Sequence, residues 1–202
     1  MKPHITLSEL KSMVRDSIDV KEKLLNDESL LSNISTVIEI ITEALSRGQR
    51  IFFAGNGGSA ADAQHLAAEF VSRFEFDRPG LPSISLATDT SMLTAIGNDY
   101  GYEMLFARQL EAQAREGDIF VGITTSGKSP NILEAFAACG KLGVTSVALC
   151  GTRGEGLENK VDHIIRVPSD HTPRVQECHI LVGHMICAHA EICLFGHLAP
   201  QR

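Results

Sequence analysis

The chain lacks any Cys-x-x-Cys pair. Its five cysteines (Cys139, Cys150, Cys178, Cys187 and Cys193) are odd in number and sit among apolar residues. That argues against a disulfide framework and for a reduced, cytoplasmic setting. No stretch offers the ~18 consecutive apolar residues of a membrane span. Lys2 and His4 precede a polar amphipathic run, without the apolar core of a secretory signal. Positive charge is also scarce. With 18 Lys and Arg against 25 Asp and Glu, the net charge is −7, which disfavours nonspecific binding to nucleic acid or anionic membranes. What remains is 202 residues with 44% hydrophobic content, enough for one globular unit with a sizeable core.

Within that unit, Ala54 to Glu69 reads as a strand end, a glycine loop and a helix start. Gly55, Gly57 and Gly58 allow a sharp turn and close approach to a ligand. The first N–H groups of the helix are free to receive an anion. No Gly-Lys-Ser/Thr follows this loop and the dinucleotide Gly-x-Gly-x-x-Gly order is absent, so neither nucleotide fingerprint applies to it. Asn56, Gly57, Gly58 and Ser59 are small or polar, and Ala60-Ala61 lets the helix start lie close to a bound group. His65 and Glu69 stand at i and i+4, on one helix face. A solvated His/Glu pair would show the same spacing.

Before this loop, apolar residues recur at helical spacing over 7–47, with Asn26-Asp27 dividing two helices and Gly48 ending the second. Ile40 widens the stripe of the second helix. We take residues 1–48 as a helical segment serving an oligomer interface, with a plain core helix as the alternative, and 49–202 as the ligand-binding domain. From Gly48 onward strands and helices alternate. Strands are expected at 50–54, 83–87, 118–124, 144–150 and 162–167. Helices are expected after the glycine loop, at 91–97, 103–115 and 130–140, and over 173–195. This order implies an α/β fold with a mostly parallel five-stranded sheet covered on both faces. Ligands in such sheets sit at the carboxyl ends of the strands.

A second loop at such an end, Ile123 to Asn131, carries Thr124, Thr125, Ser126 and Ser129 with Gly127 and Pro130. Hydroxyls and free backbone N–H groups can cradle a phosphate without a fixed positive charge. Ser129 before Pro130 would in any case cap the next helix.

These loops resemble the phosphosugar-binding loops of sugar isomerase (SIS) domains, which have a flavodoxin-like three-layer sandwich. Four segments together resemble the phosphoheptose isomerase family within that group. They are Gly55 to His65, Ala95-Ile96-Gly97-Asn98-Asp99, Thr125 to Ser129, and Thr172-Pro173-Arg174-Val175-Gln176-Glu177. The resemblance runs from about residue 30 to 195. It implies conversion of sedoheptulose 7-phosphate to D-glycero-D-manno-heptose 7-phosphate through a cis-enediol, the first step toward nucleotide-activated heptose for lipopolysaccharide or capsule. It implies one zinc per subunit on His65, Glu69, Gln176 and His184, with Glu69 and His184 as acid and base. Gln176 and His184 are eight residues apart, a rise of about 12 Å, and long side chains could converge between them. Two imidazoles suit zinc; a glutamine oxygen is a weak ligand.

Asn56, Gly57, Gly58, Ser59, Asp62, His65, Glu69, Thr124, Thr125, Ser126, Ser129 and Gln176 would hold the sugar phosphate. Asn98 and Asp99 would bind hydroxyls. Arg73 would reach a neighbouring site in a homotetramer with sites at subunit interfaces. One departure is visible: some members carry an acid where this chain has Pro173. The alternative is a non-catalytic relative that binds the replication initiator DnaA. Those relatives lack the acid and the His that stand here as Glu69 and His184. His179, His189 and His197 read as packing or surface residues.

Overall fold

A computed structural model describes residues 5–200; Lys2 and His4 lie outside them. Two helices open the chain, α1 (Leu7–Leu25) and α2 (Glu28–Ser46). Asp27 divides them: its side chain accepts the Leu30 N–H at 2.9 Å and so starts α2. Then follow β1 (Ile51–Gly55), α3 (Gly58–Val71), β2 (Ser83–Ser85), α4 (Thr90–Asp99), α5 (Ala107–Gln113), β3 (Ile119–Ile123), α6 (Pro130–Leu142), β4 (Thr145–Cys150), β5 (His163–Arg166) and α7 (Thr172–Phe195). The expected helix over 103–115 is interrupted. A single 3₁₀ turn covers Tyr102–Met104, and Leu105 and Phe106 are seated in the core before α5 begins.

All five strands are parallel, in the order β2-β1-β3-β4-β5. Alternate residues of each strand enter different cores, as the period of two requires. Phe53, Val121 and Leu149 face α2, α3 and α7. Phe52, Phe120 and Ala148 face α5 and α6, with Leu93 and Ile96 of α4 packed against them. The result is the expected three-layer α/β sandwich. From β1 the chain passes to β2 on one side, then returns across β1 to β3 on the other. The crevice at that switch point lies between the carboxyl ends of β1 and β3. The two expected ligand loops leave from those ends.

The wide stripe of α2 is spent within the chain: Ile34, Val37, Ile38, Ile41 and Leu45 are buried in the core. The exposed apolar face belongs to α1, through Leu7, Leu10, Met13, Val14 and Ile18. Three side chains fasten α1 to α7. Ser17 donates to Glu177 Oε2 at 2.6 Å, Lys21 approaches the same oxygen at 3.4 Å, and Arg174 donates to the Met13 carbonyl at 3.1 Å.

Two expectations need correction here. By length and composition α7 is apolar enough to cross a membrane. Its Val175, Cys178, Val182, Ile186 and Ala190 instead join the core. Cys193 is exposed, unlike the other four cysteines.

His179 on α7 is fully buried, and neither ring nitrogen has a hydrogen-bond partner among the described residues. Burial, only partly offset by the nearby Cys150 backbone, pulls its pKa from 6.5 down to about 4. Between those values the unfolded chain holds a proton that the folded chain refuses. Stability should therefore be intact above about pH 6.5 and fall as pH drops toward 4. Urea unfolding at pH 7 and pH 5 should show a larger loss for the native chain than for His179→Leu. Equal losses would remove His179 as the cause.

Candidate active site

The loop after β1 turns tightly. A Cβ on Gly55 would stand 2.4 Å from the Ser59 carbonyl oxygen, so the start of α3 can lie this close only over a glycine. Gly57, at φ +56°, takes the left-handed turn. Asn56 then spans the crevice. Its amide exchanges two hydrogen bonds with Asn131 in the first turn of α6, at 2.9 and 2.8 Å, and accepts the Tyr102 hydroxyl at 3.0 Å. A cavity of about 310 Å³ opens beside this group, lined among others by Gly55, Asn56, Gly57, Thr94 and Tyr102.

Across the crevice, Ser129 sits at the N-cap position of α6 but makes no capping bond with its side chain. Its Oγ lies 3.1 Å from Thr124 Oγ1 instead, which corrects the capping expectation. The Ser126 hydroxyl accepts the Lys128 N–H at 3.2 Å, and Gly127 at φ +68° turns the loop. Gly122 to Ser129 also spells G-x-x-x-x-G-K-S, the letters of a nucleotide P-loop. Gly122, however, lies inside β3, with Phe136 filling the space a side chain would take. The loop itself is Thr124 to Ser129, too short for that cradle.

A polar row continues along α3. Gly58, Asp62, His65 and Glu69 follow one face of the helix. α7 runs parallel to it and supplies the opposite side. Gln176 packs on Gly58 so closely that a Cβ there would meet its amide at 2.5 Å. The Gln176 amide also donates to Asp62 Oδ1 at 3.4 Å. Two turns further on, His65 Nε2 and His184 Nε2 are 2.9 Å apart, and Glu69 Oε1 is 3.4 Å from His65 Nε2. Phe74 lies against the His184 ring, with centroids 5.4 Å apart. Asp62 is buried and its Oδ2 has no partner among the described residues. Loss of solvent raises its pKa, against weaker opposing effects of Gln176 and His65.

The structure thus brings together Asp62, His65, Glu69, Gln176 and His184, and frames the crevice with Asn56 to Ser59 and with Thr124, Thr125, Ser126 and Ser129. It does not bring three others in. Asn98 and Asp99 lie exposed at the end of α4, bonded to each other at 2.7 Å. Arg73 is exposed beyond α3 and, among the described residues, joins no ion pair. Sequence reasoning missed Tyr102 and Phe74. It also gave Asn131 no role, although that residue stood in the second loop.

Among the described residues, no three His, Cys, Asp or Glu side chains are already spaced around a common ion position. The two imidazoles face each other as hydrogen-bond partners instead. The donor set still suits a divalent ion. Two imidazole nitrogens and the Glu69 carboxylate are donor types that zinc takes.

This arrangement, a crevice framed by glycines and hydroxyls and continued by a carboxylate and two imidazoles, coincides with a family match. The SIS domain model matches residues 16–151, and the chain belongs to the SIS domain family. More specific relatives cover nearly its whole length. The phosphoheptose isomerase of Aneurinibacillus thermoaerophilus is 56% identical over 92% of this chain and 94% of its own. Phosphoheptose isomerase 2 of Campylobacter jejuni is 55% identical over 94% of both. The phosphoheptose isomerase structure from Francisella tularensis superposes with a TM-score of 0.88 at 36% identity, over 93% of this chain and 98% of that one. Within the SIS family the chain therefore stands with the phosphoheptose isomerases, and it is an isomerase. These relatives lend no support to a DnaA-binding role.

Proposed function

We propose that the protein converts sedoheptulose 7-phosphate to D-glycero-D-manno-heptose 7-phosphate through a cis-enediol, opening the route to nucleotide-activated heptose. The observation that carries this reading is the meeting of Glu69 on α3 with His184 on α7 at the end of the polar row, joined through His65. The hydroxyls of Thr124, Thr125, Ser126 and Ser129 and the first N–H groups of α3 and α6 receive the phosphate. Asn56, held on two sides, keeps the two loops at a fixed spacing. One of Glu69 and His184 removes the proton from C1 of the ketose, and the pair returns a proton to C2.

His65, Glu69 and His184 are the residues that would hold zinc; Gln176, the fourth ligand that the resemblance implies, packs against Gly58 and Asp62 two turns before His184 on α7. The ion would polarise the substrate carbonyl as a Lewis acid. Arg73, Asn98 and Asp99 have no role within one subunit, which fits completion of the site by a neighbour in a homotetramer. The exposed apolar face of α1 supports such assembly. The reduced thiols and the net charge of −7 fit a cytoplasmic enzyme without a nucleic-acid or membrane partner.

Incubation with sedoheptulose 7-phosphate in deuterium oxide, with and without zinc, tests the reaction. An aldose 7-phosphate carrying deuterium at C2 is the expected product. Absence of conversion under both conditions would overturn the reading. The orphan Asp62 oxygen adds a sharper expectation: a sugar hydroxyl would complete it. A charge-assisted hydrogen bond is worth about 1.5–3 kcal/mol, so Asp62→Ala should raise KM by roughly 10-fold to 100-fold. An unchanged KM would take Asp62 out of substrate binding.

A further inference from the structure

Behind the catalytic row lies a buried ion pair that the proposed chemistry does not use. Arg78 and Glu191 are each about 1% exposed at the side chain, with Arg78 Nε 3.0 Å from Glu191 Oε1. Arg78 gathers the end of α3. Its guanidinium donates to the backbone carbonyls of Glu69 at 2.8 Å, Phe70 at 2.6 Å, Ser72 at 3.3 Å and Pro79 at 3.1 Å. Those of Glu69 and Phe70 lie in the last turn of α3, where carbonyls have no partner within the helix. Glu191 gathers the loop that follows. Its carboxylate accepts three successive N–H groups, from Phe74 at 2.8 Å, Glu75 at 2.6 Å and Phe76 at 3.3 Å. Burial alone would raise the Glu191 pKa, but these three donors and Arg78 outweigh it and hold the carboxyl below the ordinary range.

We infer that Arg78 and Glu191 are positioning residues that set Glu69 and His184 against each other; the inference rests on the acid–base reading of that pair. Each end of the clamp grips one partner's support. Arg78 binds the backbone of Glu69 itself. Glu191 lies on α7 two turns beyond His184 and fixes the loop that lays Phe74 on the His184 ring. The ion pair joins the two grips, so α3 and α7 are referenced to one another at the catalytic end. Stability alone does not account for such a pair, because apolar residues of similar volume often serve as well in a buried position. Two helices and a loop drawn to one point are what the charges supply and an apolar pair cannot.

The test uses the full chain with Arg78→Met, Glu191→Leu, the double variant and Arg78→Lys. Each of the first two leaves a buried charge unpaired and should lower Tm. The double variant removes the unpaired charge but still leaves the backbone groups of both grips without these partners. It should therefore regain only part of Tm, while kcat stays down by about 10-fold to 100-fold, the scale expected of a displacement near 1 Å. KM should change much less. Arg78→Lys keeps the charge but loses the fork that spans Glu69 and Phe70, so its kcat should also fall. Recovery of native kcat in the double variant, or full kcat in Arg78→Lys, would reduce the clamp to a structural pair. Should the double variant fail to fold, Arg78→Lys decides alone. A second readout is independent of turnover: the ¹⁵N imidazole signals of His65 and His184 without substrate. They should shift in Arg78→Lys, and unchanged signals would overturn the inference. Failure of the native chain to convert sedoheptulose 7-phosphate would sink the functional reading instead, and leave this spectroscopic test of the clamp standing.

Discussion

Replacing Glu69 with Gln should lower kcat by about 10² to 10⁴, the range a positioned acid or base contributes, with Tm almost unchanged. The substitution keeps the shape of the side chain and its place on α3. It removes the ability to take up a proton and weakens the contact with His65, now at 3.4 Å. Glu69 is half-buried rather than sealed in the core, so folding does not depend on its charge. Thermal melting by circular dichroism and turnover by NMR separate the two effects. Near-normal turnover would remove Glu69 from the mechanism. A fall in Tm matching the loss of activity would make its role structural.

The second large effect is expected at Gly183, which touches no ligand. A Cβ there would meet the Leu66 side chain at 2.5 Å. Leu66 is 1% exposed, so its side chain would have to change rotamer inside the packed core. Gly183 precedes His184, and Leu66 follows His65. A close approach of α3 and α7 therefore lies one residue away from the imidazole pair on both helices. Gly183→Ala should cost about 1–3 kcal/mol through overpacking. It should also cut kcat roughly 10-fold or more by parting the imidazoles. Leu66→Val in the same chain restores room and should recover part of both losses. A Gly183→Ala variant with native kcat would show that the helix spacing has slack.

Such contacts mark where sequence reading stopped. His65 and Glu69 are four residues apart on one helix, so their meeting is local and was legible. The strands and their order of appearance were legible too, because apolar runs such as Ile51 to Ala54 and Ile119 to Val121 have few other ways to be buried. His184 reaches His65 across 119 residues. The family resemblance implied that meeting; residue spacing does not, because it depends on the parallel run of α3 and α7, packed through Gly183 and Leu66, which no periodicity records. The same holds for Asn56 with Asn131, 75 residues apart, and for Arg78 with Glu191, 113 apart. In the N-terminal pair the periodicities of the two helices looked alike. Only packing shows that α2 faces inward, while α1 leaves its apolar side open. Around residue 105 the helical pattern was real, but seating both Leu105 and Phe106 broke the helix.

The crevice between β1 and β3 is furnished with hydroxyls, carboxamides and backbone N–H groups, and Lys128, the cation in its second loop, is exposed. None of those neutral donors gains or loses a proton near neutrality. On the proposed reading, these donors make a fixed field, oriented when the chain folds and unaltered by the acidity of the solvent near neutrality. The pH dependence expected of the hydroxyl cradle is then the guest's: a phosphate monoester takes its second charge near about pH 6, and the neutral donors meet it unchanged on either side.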